Sequence, residues 1–367
     1  MRVLYFTEKD SPHDQRFLRA LAGTPHQVFA LRQIPCSPVT PKGINELSWP
    51  EGTPDWSNWG GWQEGAVQFS TILAEVQPDL VHAGPVQGPA LLTALTDFHP
   101  LVTMSWGSDL LWQTKRSPWM RFAASFTLDH TDLLLADCQT VAEKAVDFGF
   151  PQTRIIRFPW GVDLTHFSPE NGKMAGWALR ESLGWDDNLV IFCNRTWAPI
   201  YGVDVLAKAF VSAVREKPNL RLLLVGSGPQ EQAIRQILNP EMDKVNLPGR
   251  ITPQALPGYY CAADLFVSPS HCDGSSISLL EALACGRPVL VSDIPSNQEW
   301  VKPGEVGELF KDGNDVSLTA HLLYMAELPY LKDYALRARN LAECRANWEK
   351  NLQKLLEAYQ KADQLLI

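Results

Sequence analysis

The stretch DGSSISLLEALACGRPVLVSD, residues 273–293, decides which fold this chain adopts. It follows DLFVSPS (264–270), an apolar run that predicts a buried strand ending in a small polar turn. Its own last part, VLVS (289–292), predicts the next strand. A helix between two such strands indicates a parallel sheet, in which ligands bind at the carboxyl ends of the strands.

Single residues predict where that helix begins and ends. Ser275 or Ser276 can cap its N-terminus, because a serine hydroxyl accepts a hydrogen bond from an unpaired backbone N–H group. Gly286 is expected to end the helix, and Pro288 prevents its continuation. The unpaired N–H groups and the positive dipole end at its start attract phosphate.

Two carboxylates, Asp273 and Glu281, lie eight positions apart across this junction. Asp273 is expected in the loop, within reach of a ligand. Glu281 falls on the flank of the helix's apolar stripe, where a carboxylate is costly unless it is hydrogen-bonded. The alternative for Glu281 is a half-exposed side chain on the helix rim.

Composition limits the possible classes of protein. A chain of 367 residues favours two α/β domains over a single core. The net charge of −9 argues against nucleic-acid binding, so no nucleic-acid partner is expected. Seven scattered cysteines without a C-x-x-C pair disfavour both a disulfide scaffold and a metal site. No membrane-spanning run and no signal peptide are recognisable, so we expect a cytoplasmic protein.

Short apolar runs alternate with helical patterns along the chain, which predicts parallel sheets with helices on both faces. A Pro- and Gly-rich stretch, 159–172, is the expected hinge. We therefore expect domains at 1–160 and 161–345, followed by a C-terminal helix, 346–367, that packs back on the first domain. The predicted strands are 2–7, 27–31, 79–84, 101–106, 132–137, 153–158, 189–194, 220–226, 244–249, 264–270 and 289–293.

One long segment, 35–62, breaks this alternation with repeated prolines and glycines and with four tryptophans. Long loops in compact domains are often functional. The tryptophans could stack on sugar rings or cover an apolar ligand, or they could anchor a surface loop. They are Trp49, Trp56, Trp59 and Trp62.

Four segments together resemble the retaining glycosyltransferases of the GT-B fold, specifically family four. RFPWGVDLTHFSP (157–169) is similar to the family's interdomain signature, and LLLVGSGPQEQAIRQI (222–237) to its strand, glycine loop and helix. LPGRITPQALPGYYCAADLFVSPS (247–270) resembles the segment before the E-x7-E motif, which reads D-x7-E here. The resemblance implies two Rossmann-like domains facing across a cleft, and a nucleotide-sugar donor.

The resemblance also implies donor-binding roles in the second domain. Glu281 would bind the ribose hydroxyls, Asp273 the transferred sugar, and Arg195 the diphosphate through its two-pronged guanidinium. Arg195 and Asp273 are the predicted catalytic residues. The other donor-binding predictions are Tyr201, Gly228, Arg250, Ile251, Gly274, Ser275, Ser276 and Ile277.

The chain departs from the family pattern at three positions. Asp273 replaces a glutamate, and its shorter side chain retracts the carboxylate by about 1.5 Å. Tyr201 stands where the family carries a lysine that binds the diphosphate, although its hydroxyl can still donate to a phosphate. Trp106 replaces a histidine. We expect an active enzyme with altered diphosphate binding, whose donor choice differs from that of common members.

Acceptor recognition would lie in the first domain, where the motifs are weakest. Each histidine there could equally be a structural hydrogen-bonding residue, and Asp109 could cap the helix after it. The candidates are His13, Asp14, His82, Trp106, Ser108 and Asp109.

The implied reaction retains the anomeric configuration and needs no metal or other cofactor, because protein charges and helix dipoles would stabilise the departing diphosphate. The acceptor would be a sugar, a lipid or another small molecule. Two other functions stay open. One is a non-catalytic nucleotide-sugar-binding protein, for which the missing lysine argues, and the other is a sugar-nucleotide 2-epimerase of the same fold.

The segment WQTKRSPWMRFAASF, 112–126, mixes Lys115, Arg116 and Arg121 with tryptophan, methionine and phenylalanine. This composition is typical of a helix that lies at a membrane surface. The alternative is an amphipathic helix that packs its apolar face on the core. Peripheral contact with the inner face of a membrane is therefore a second partner hypothesis, and the oligomeric state stays open.

Overall fold

The structure, a computed structural model, describes residues 1–34, 40–328 and 331–364. The chain forms two compact units, each with its own parallel sheet. Unit 1 comprises Met1–Phe158 and Leu352–Ile367, and unit 2 comprises Pro159–Asn351. The predicted fold class, two Rossmann-like α/β domains, is confirmed.

The sheet of unit 1 has the order β3–β2–β1–β4–β5–β6–β7, and all its neighbouring strands are parallel. Its strands are β1 (Arg2–Thr7), β2 (Gln27–Arg32), β3 (Ile44–Glu46), β4 (Leu80–Gly84), β5 (Leu101–Met104), β6 (Leu133–Ala136) and β7 (Ile155–Arg157). Its first helices are α1 (Pro12–Ala22), α2 (Trp59–Val76), α3 (Leu91–Leu95), α4 (Ser108–Leu111), α5 (Pro118–Asp129) and α6 (Gln139–Asp147).

The sheet of unit 2 has the order β10–β9–β8–β11–β12–β13, again parallel throughout. Its strands are β8 (Leu189–Cys193), β9 (Leu220–Val225), β10 (Val245–Gly249), β11 (Leu265–Ser268), β12 (Val289–Ser292) and β13 (Gly307–Phe310). The helices that follow in the chain are α7 (Pro169–Leu183), α8 (Val203–Glu216), α9 (Glu231–Leu238), α10 (Leu256–Ala262), α11 (Ile277–Ala284), α12 (Pro295–Gln298), α13 (Asp315–Glu327), α14 (Leu331–Arg345) and α15 (Trp348–Gln364).

The strands form because their side chains are apolar on both faces, as a sheet covered by helices on both sides requires. β6, β11 and β12 are buried along their whole length. All eleven predicted strands are present, most of them shorter by one or two residues at an end. The sequence did not predict β3 or β13, which are three and four residues long and contain glutamates.

The helix predicted within 273–293 is α11, and its two ends behave differently. Its C-terminal end is as predicted, since Gly286 follows it with φ +62°, a backbone conformation that favours glycine. At the N-terminus, Ser276 occupies the cap position, but its side chain does not cap a backbone N–H group. The predicted serine cap is wrong because that hydroxyl bonds a different partner.

The tryptophans of segment 35–62 mostly anchor chain to unit 1. Trp49, Trp56 and Trp62 donate indole N–H hydrogen bonds to the carbonyl oxygens of Arg32 (2.8 Å), Gln33 (3.2 Å) and Trp56 (3.2 Å), respectively. For these three the anchoring alternative is correct. The segment is also less loop-like than expected, because it includes β3 and the start of α2. Residues 35–39 lie outside the described residues.

The C-terminal part of the chain consists of two helices, α14 and α15, and α15 corresponds to the predicted C-terminal helix. α15 continues from unit 2 into unit 1. Within unit 1, the hydroxyl of Tyr359 lies 2.6 Å from Nδ1 of His82, and Lys361 donates a hydrogen bond to the carbonyl oxygen of Thr153 at 2.8 Å. The end of the chain therefore contributes to the interior of unit 1.

Candidate functional site

The site lies where the strand order of unit 2 reverses, between β8 and β11. In an open parallel sheet the loops after two such strands diverge and leave a crevice. The loop after β8 begins with Asn194 and Arg195, and the loop after β11 contains Asp273. The start of α11 reaches the same edge of the sheet. The site is therefore built from the loop after β8, the loop after β11 and the N-terminus of α11.

Arg195 and Asp273 form a short ion pair at this edge. A terminal nitrogen of Arg195 donates a hydrogen bond of 2.6 Å to Oδ1 of Asp273, and the two side chains are only 11% and 12% exposed. The other terminal nitrogen of Arg195 donates to the hydroxyls of Ser276 (2.9 Å) and Ser278 (2.8 Å). Arg195 therefore uses the hydroxyl that was expected to cap α11.

Tyr201 lies against the same guanidinium. The Arg195 guanidinium carbon is 4.4 Å from the centroid of the Tyr201 ring, a cation–π contact. The ring is held there by the turn at Gly202, which has φ +58°. A Cβ on Gly202 would lie 2.2 Å from the carbonyl oxygen of Pro269, so this turn also packs closely against the loop after β11.

Burial and attraction oppose each other at the ion pair. Burial raises the pKa of the Asp273 carboxyl, and the positive charge of Arg195 counteracts that shift. Burial alone would lower the pKa of Arg195, but attraction to Asp273, Tyr201 and Cys193, together with the hydrogen bond to Asp273, outweighs burial and raises that pKa. The guanidinium is therefore a fixed positive charge at the site.

Glu281 is held by a separate hydrogen-bond chain. The hydroxyl of Tyr260, on α10, donates to Oε2 of Glu281 at 2.8 Å and accepts a hydrogen bond of 3.0 Å from the side-chain amide of Asn194. Burial, reinforced by the charge of Glu281, raises the pKa of Tyr260 well above its usual value. The hydroxyl therefore stays protonated and orients the carboxylate. It supplies the hydrogen bond that a carboxylate on the flank of the apolar stripe was expected to need.

The sequence did not identify Asn194, Tyr260 or Ser278 as residues of the site. Tyr260 lies 21 positions before Glu281 on a different helix, and no local spacing connects the two. Ser278 is the second residue of α11 and resembles any polar residue of a helix. The only available signal was the position of Asn194 directly after a strand, beside Arg195.

The remaining donor-binding candidates lie around this centre in different settings. The Ser275 hydroxyl accepts a hydrogen bond of 3.2 Å from the Trp300 indole, and Ile277 and Ile251 pack on the core of unit 2. Gly228, after β9, lies close to the backbone of Trp197. Arg250 is exposed and donates to the Ser227 hydroxyl at 2.9 Å. Gly274 is buried in the loop before α11.

Several buried polar atoms at the end of β8 lack a hydrogen-bond partner among the described residues. They are Oδ1 of Asn194, Nε of Arg195 and Nε1 of Trp197. Buried polar groups normally have partners, so such a group of atoms indicates where a polar ligand would bind. Within the described ranges, no three or more His, Cys, Asp or Glu side chains come together in a way that could hold a metal ion.

Three of the acceptor-side candidates in unit 1 are buried, which corrects the expectation that they are accessible. His82 is fully buried beside Tyr359, and burial lowers its pKa to about 3. Asp14 is 3% exposed and accepts hydrogen bonds from the hydroxyls of Tyr5 (3.0 Å) and Ser11 (2.5 Å). Burial raises its pKa to about 6.

Asp109, 4% exposed, has a structural role. Its carboxylate accepts hydrogen bonds from the backbone N–H groups of Val86 (3.0 Å), Trp106 (3.2 Å) and Leu110 (3.0 Å). These bonds tie the start of α4 to the segment after β4. Asp109 is the second residue of α4, and the N-cap position is held by Gly107, so Asp109 does not cap the helix in the predicted way.

His13, Trp106 and Ser108 stay partly exposed on unit 1. The rings of His13 and Trp106 lie 5.6 Å apart between centroids, at the ends of the loops after β1 and β5. Because the strand order of this sheet reverses between β1 and β4, these two residues border the equivalent crevice of unit 1.

Two family models match the chain, one in each unit. Residues 187–327 match the model described as glycosyl transferases group 1, and residues 2–138 match the model described as glycosyl transferase 4-like. Together they include every donor-binding and acceptor-side candidate named above.

Curated relatives match parts of the chain. It is 31% identical over 198 residues to a GDP-mannose-dependent monoacylated alpha-(1-6)-phosphatidylinositol monomannoside mannosyltransferase of Corynebacterium glutamicum, covering 52% of this chain and 51% of that protein. It is 32% identical over 250 residues to a D-inositol 3-phosphate glycosyltransferase of Thermomonospora curvata, covering 62% and 56%. The chain thus spans about half the length of the curated relatives it matches.

Solved structures share the whole fold. The Anabaena protein HepE, crystallised with UDP-glucose, superimposes with a TM-score of 0.81 at 18% identity and covers 98% of this chain and 100% of its own. WaaG, a glycosyltransferase involved in lipopolysaccharide biosynthesis, gives a TM-score of 0.76 at 16% identity with 98% of each chain covered. At these identities the likeness concerns the fold.

Proposed function

The chain belongs to the glycosyl transferases of the GT-B fold, and we propose that it transfers a sugar from a nucleotide-sugar donor to an acceptor with retention of anomeric configuration. Unit 2 would bind the donor and unit 1 the acceptor. The transferred group would be a hexose, since the mannosyltransferase relative is GDP-mannose-dependent and HepE was crystallised with UDP-glucose.

The observation that carries the proposal is the ion pair of Arg195 and Asp273 at the start of α11. It combines a fixed cation, a carboxylate and a helix N-terminus at the point where parallel sheets bind ligands. A nucleotide-sugar carries the complementary groups, namely a diphosphate and sugar hydroxyls. Nε of Arg195, unpartnered among the described residues, is available to donate to a phosphate oxygen.

Asp273 would hold hydroxyls of the transferred sugar, and Arg195 would bind the diphosphate beside it. Both would therefore contact the reacting part of the donor. As the bond between sugar and phosphate breaks, negative charge grows on the departing diphosphate, and a preorganised guanidinium stabilises it without needing to reorient. This is the reason for proposing a reaction that needs no metal ion.

Glu281 would bind the two hydroxyls of the ribose, with Tyr260 fixing its orientation. A carboxylate can accept hydrogen bonds from two neighbouring hydroxyls at once, and the Tyr260 hydroxyl holds Glu281 through Oε2. Arg250 and Ile251 would lie near the base. Trp106 and His13 on unit 1 would contact the acceptor, which the relatives' names suggest is an inositol derivative or a lipid-linked sugar.

A screen of donors tests the proposal directly. The thermal unfolding temperature would be measured with UDP-, GDP-, ADP- and TDP-sugars, and a ligand at about 100 times its dissociation constant adds roughly 2.7 kcal/mol of stability. We expect sugars of one nucleotide class to raise the unfolding temperature of the wild type but not that of the Glu281→Ala variant. No stabilisation by any donor would contradict the proposal.

The stabilising donor then separates the alternatives. Incubation with inositol phosphate or lipid-linked sugar acceptors should release nucleoside diphosphate and give a product with the donor's anomeric configuration, also in the presence of EDTA. A donor that binds but never yields nucleoside diphosphate would indicate a non-catalytic binding protein. Formation of an epimer from the donor alone would indicate a 2-epimerase.

A further inference from the structure

Two helices of unit 1 expose large aromatic side chains that touch one another. Trp59 of α2 is 48% exposed, and Trp119 and Phe122 of α5 are 40% and 55% exposed. The ring centroids of Trp59 and Trp119 lie 5.8 Å apart, as do those of Trp119 and Phe122. The fold thus assembles one aromatic surface from residues far apart in the sequence, and the segment 112–126 alone did not include Trp59.

The helix α5 exposes two of its bulky residues. Its buried residues are Ala123, Ala124, Thr127 and Leu128, which are mostly small. Trp119 and Phe122, three positions apart, are exposed. An ordinary amphipathic helix of a globular domain buries its large apolar residues and exposes polar ones. α5 does pack an apolar side on the core of unit 1, as the alternative expected, but its exposed side carries Trp119 and Phe122 as well as polar residues.

The rings continue inward from this surface as a connected series. Phe126 lies 6.1 Å from Phe122, and the His130 ring lies 4.2 Å from Phe126, both between centroids. This series supports Phe122 from behind, because each ring packs on the next. The exposed rings therefore have defined positions on a helix, which suits a binding surface better than a mobile loop would.

Basic residues lie close to Trp119 and Phe122 in the chain. Lys115, Arg116 and Arg121 are exposed, and none of them forms a salt bridge with any residue that the structure describes. The guanidinium carbon of Arg121 lies 5.4 Å from the centroid of the Phe148 ring. These three residues are basic and the exposed rings between them carry no acidic neighbour on α5 before Asp129, whereas Asp55 and Glu64 are the acidic residues near Trp59 in the chain.

We propose that this aromatic–basic face, defined as Trp59, Lys115, Arg116, Trp119, Arg121 and Phe122, binds the surface of a lipid bilayer that contains anionic lipids. Tryptophan and phenylalanine insert among headgroups, while unpaired Lys and Arg side chains attract the diffuse negative charge of the surface. An acidic protein needs such a local positive region to approach an anionic membrane. The inference goes beyond the proposed function and does not depend on it.

The experiment measures binding of the full chain to vesicles by co-sedimentation. Vesicles of phosphatidylcholine are compared with vesicles that also contain phosphatidylglycerol. We expect the wild type to bind the anionic vesicles at least about tenfold more tightly, and this preference to decline with added salt because the Debye length shrinks. Trp119→Ser with Phe122→Ser should reduce binding to both kinds of vesicle by about tenfold or more.

The charge variant combines Lys115→Gln, Arg116→Gln and Arg121→Gln. Its affinity for anionic vesicles should fall by about fivefold for each basic residue removed, and its affinity for phosphatidylcholine vesicles should not change. Trp177→Ser is the matched control. Trp177 is 56% exposed in unit 2 with Lys173 over its ring at 4.9 Å, so it reproduces an exposed aromatic–basic pair outside the face. This control should bind like the wild type.

Three results would overturn the proposal. The wild type could bind neither kind of vesicle, or Trp177→Ser could lose as much binding as the double variant. The third is that light scattering shows a dimer for the wild type and a monomer for the variant with Trp119→Ser and Phe122→Ser. A second copy of the chain, and not a membrane, would then cover the face. Because all the substituted side chains are exposed, unchanged circular dichroism spectra are expected, and Trp59→Ser provides an independent substitution on α2.

Discussion

The guanidinium of Arg195 donates a 2.6 Å hydrogen bond to Oδ1 of Asp273, 78 positions further along the chain. The pair joins the end of β8 to the loop after β11. Each residue therefore has a structural role besides the proposed catalytic one. A substitution at either position must be tested for stability as well as for activity.

Replacing Asp273 by alanine should destabilise unit 2, because Arg195 would remain buried without its counter-ion. Breaking a buried ion pair costs about 3–5 kcal/mol. Asp273→Asn keeps an oxygen that can accept the hydrogen bond, so this variant should lose clearly less stability than Asp273→Ala. Thermal unfolding of the two variants checks this, and equal losses would contradict a role for the ion pair in stability.

Tyr260→Phe removes the hydroxyl that holds Glu281, and should weaken nucleotide binding by about tenfold, in line with a hydrogen bond to a charged group. Calorimetric titration with the stabilising nucleotide measures the loss. Tyr259→Phe is the matched control, since the neighbouring ring packs on the core without a hydrogen bond to Glu281. If both variants bind the nucleotide like the wild type, Tyr260 does not position Glu281.

Gly202→Ala should destabilise unit 2 and displace Tyr201 from Arg195. The residue combines φ +58° with a Cβ position only 2.2 Å from the carbonyl oxygen of Pro269. Gly184→Ala separates the two effects, because Gly184 has φ +66° but no atom within 4 Å of its Cβ position. We expect about 1 kcal/mol of lost stability for Gly184→Ala and about 3 kcal/mol or more for Gly202→Ala. Urea unfolding provides the comparison.

His82 should make unit 1 less stable in acid. Burial lowers its pKa from 6.5 to about 3, so between these values the unfolded chain binds a proton that the folded chain does not. Stability is therefore lost as pH falls below 6.5, by roughly 1.4 kcal/mol per pH unit. His82→Asn should remove this loss. The readout is amide exchange of β1 and β4 in variant and wild type, compared at pH 7 and pH 5.

Asp14 acts in the opposite direction in the same unit. Burial raises its pKa from 3.8 to about 6, so the folded state keeps a proton that the unfolded state releases. Its contribution is lost as pH rises through this window, and it partly masks the effect of His82. Asp14→Asn should therefore steepen the acid sensitivity of unit 1. An unchanged profile in that variant would mean that Asp14 is ionised in the folded protein.

Cys261 should react with iodoacetamide at a lower pH than an ordinary thiol. A hydrogen bond from the Cys285 side chain, together with the charge of Arg287, lowers its pKa from 9.0 to about 7 although burial opposes this. Peptide mass spectrometry can follow Cys261 itself across pH values. Cys285→Ala should move the midpoint upwards, whereas the fully buried Cys193, with a pKa of about 11, should stay unmodified.

How far the sequence predicts the structure depends on the range of the interactions involved. Apolar runs bounded by turn residues predicted eleven strands correctly, because buried parallel strands are apolar on both faces. Gly286 was correctly predicted to end α11, because a glycine after a helix is also a local signal. The serine cap of α11 was not, since Ser276 accepts a hydrogen bond from Arg195, 81 positions away, in place of one from its own helix.

The candidate site shows the same limit. Asp273, Glu281 and Arg195 were recognised from spacing and resemblance, yet Tyr260 and Asn194 have no local signature. The burial of His82 and Asp14 also escaped the sequence. Strand periodicity does not show whether a polar side chain at the end of a strand is exposed. His82 is buried because another helix, α15 with Tyr359, packs over it.

The sequence by itself determined the alternation of strands and helices, the family and the two acids of D-x7-E, because these depend on near neighbours and short motifs. Only the tertiary structure decided that Arg195 pairs with Asp273, that Tyr260 orients Glu281 and that Trp59 joins α5 in one exposed surface. The physical reason is that burial and ion pairing depend on which segments the sheets bring together, and that information is spread over the whole chain.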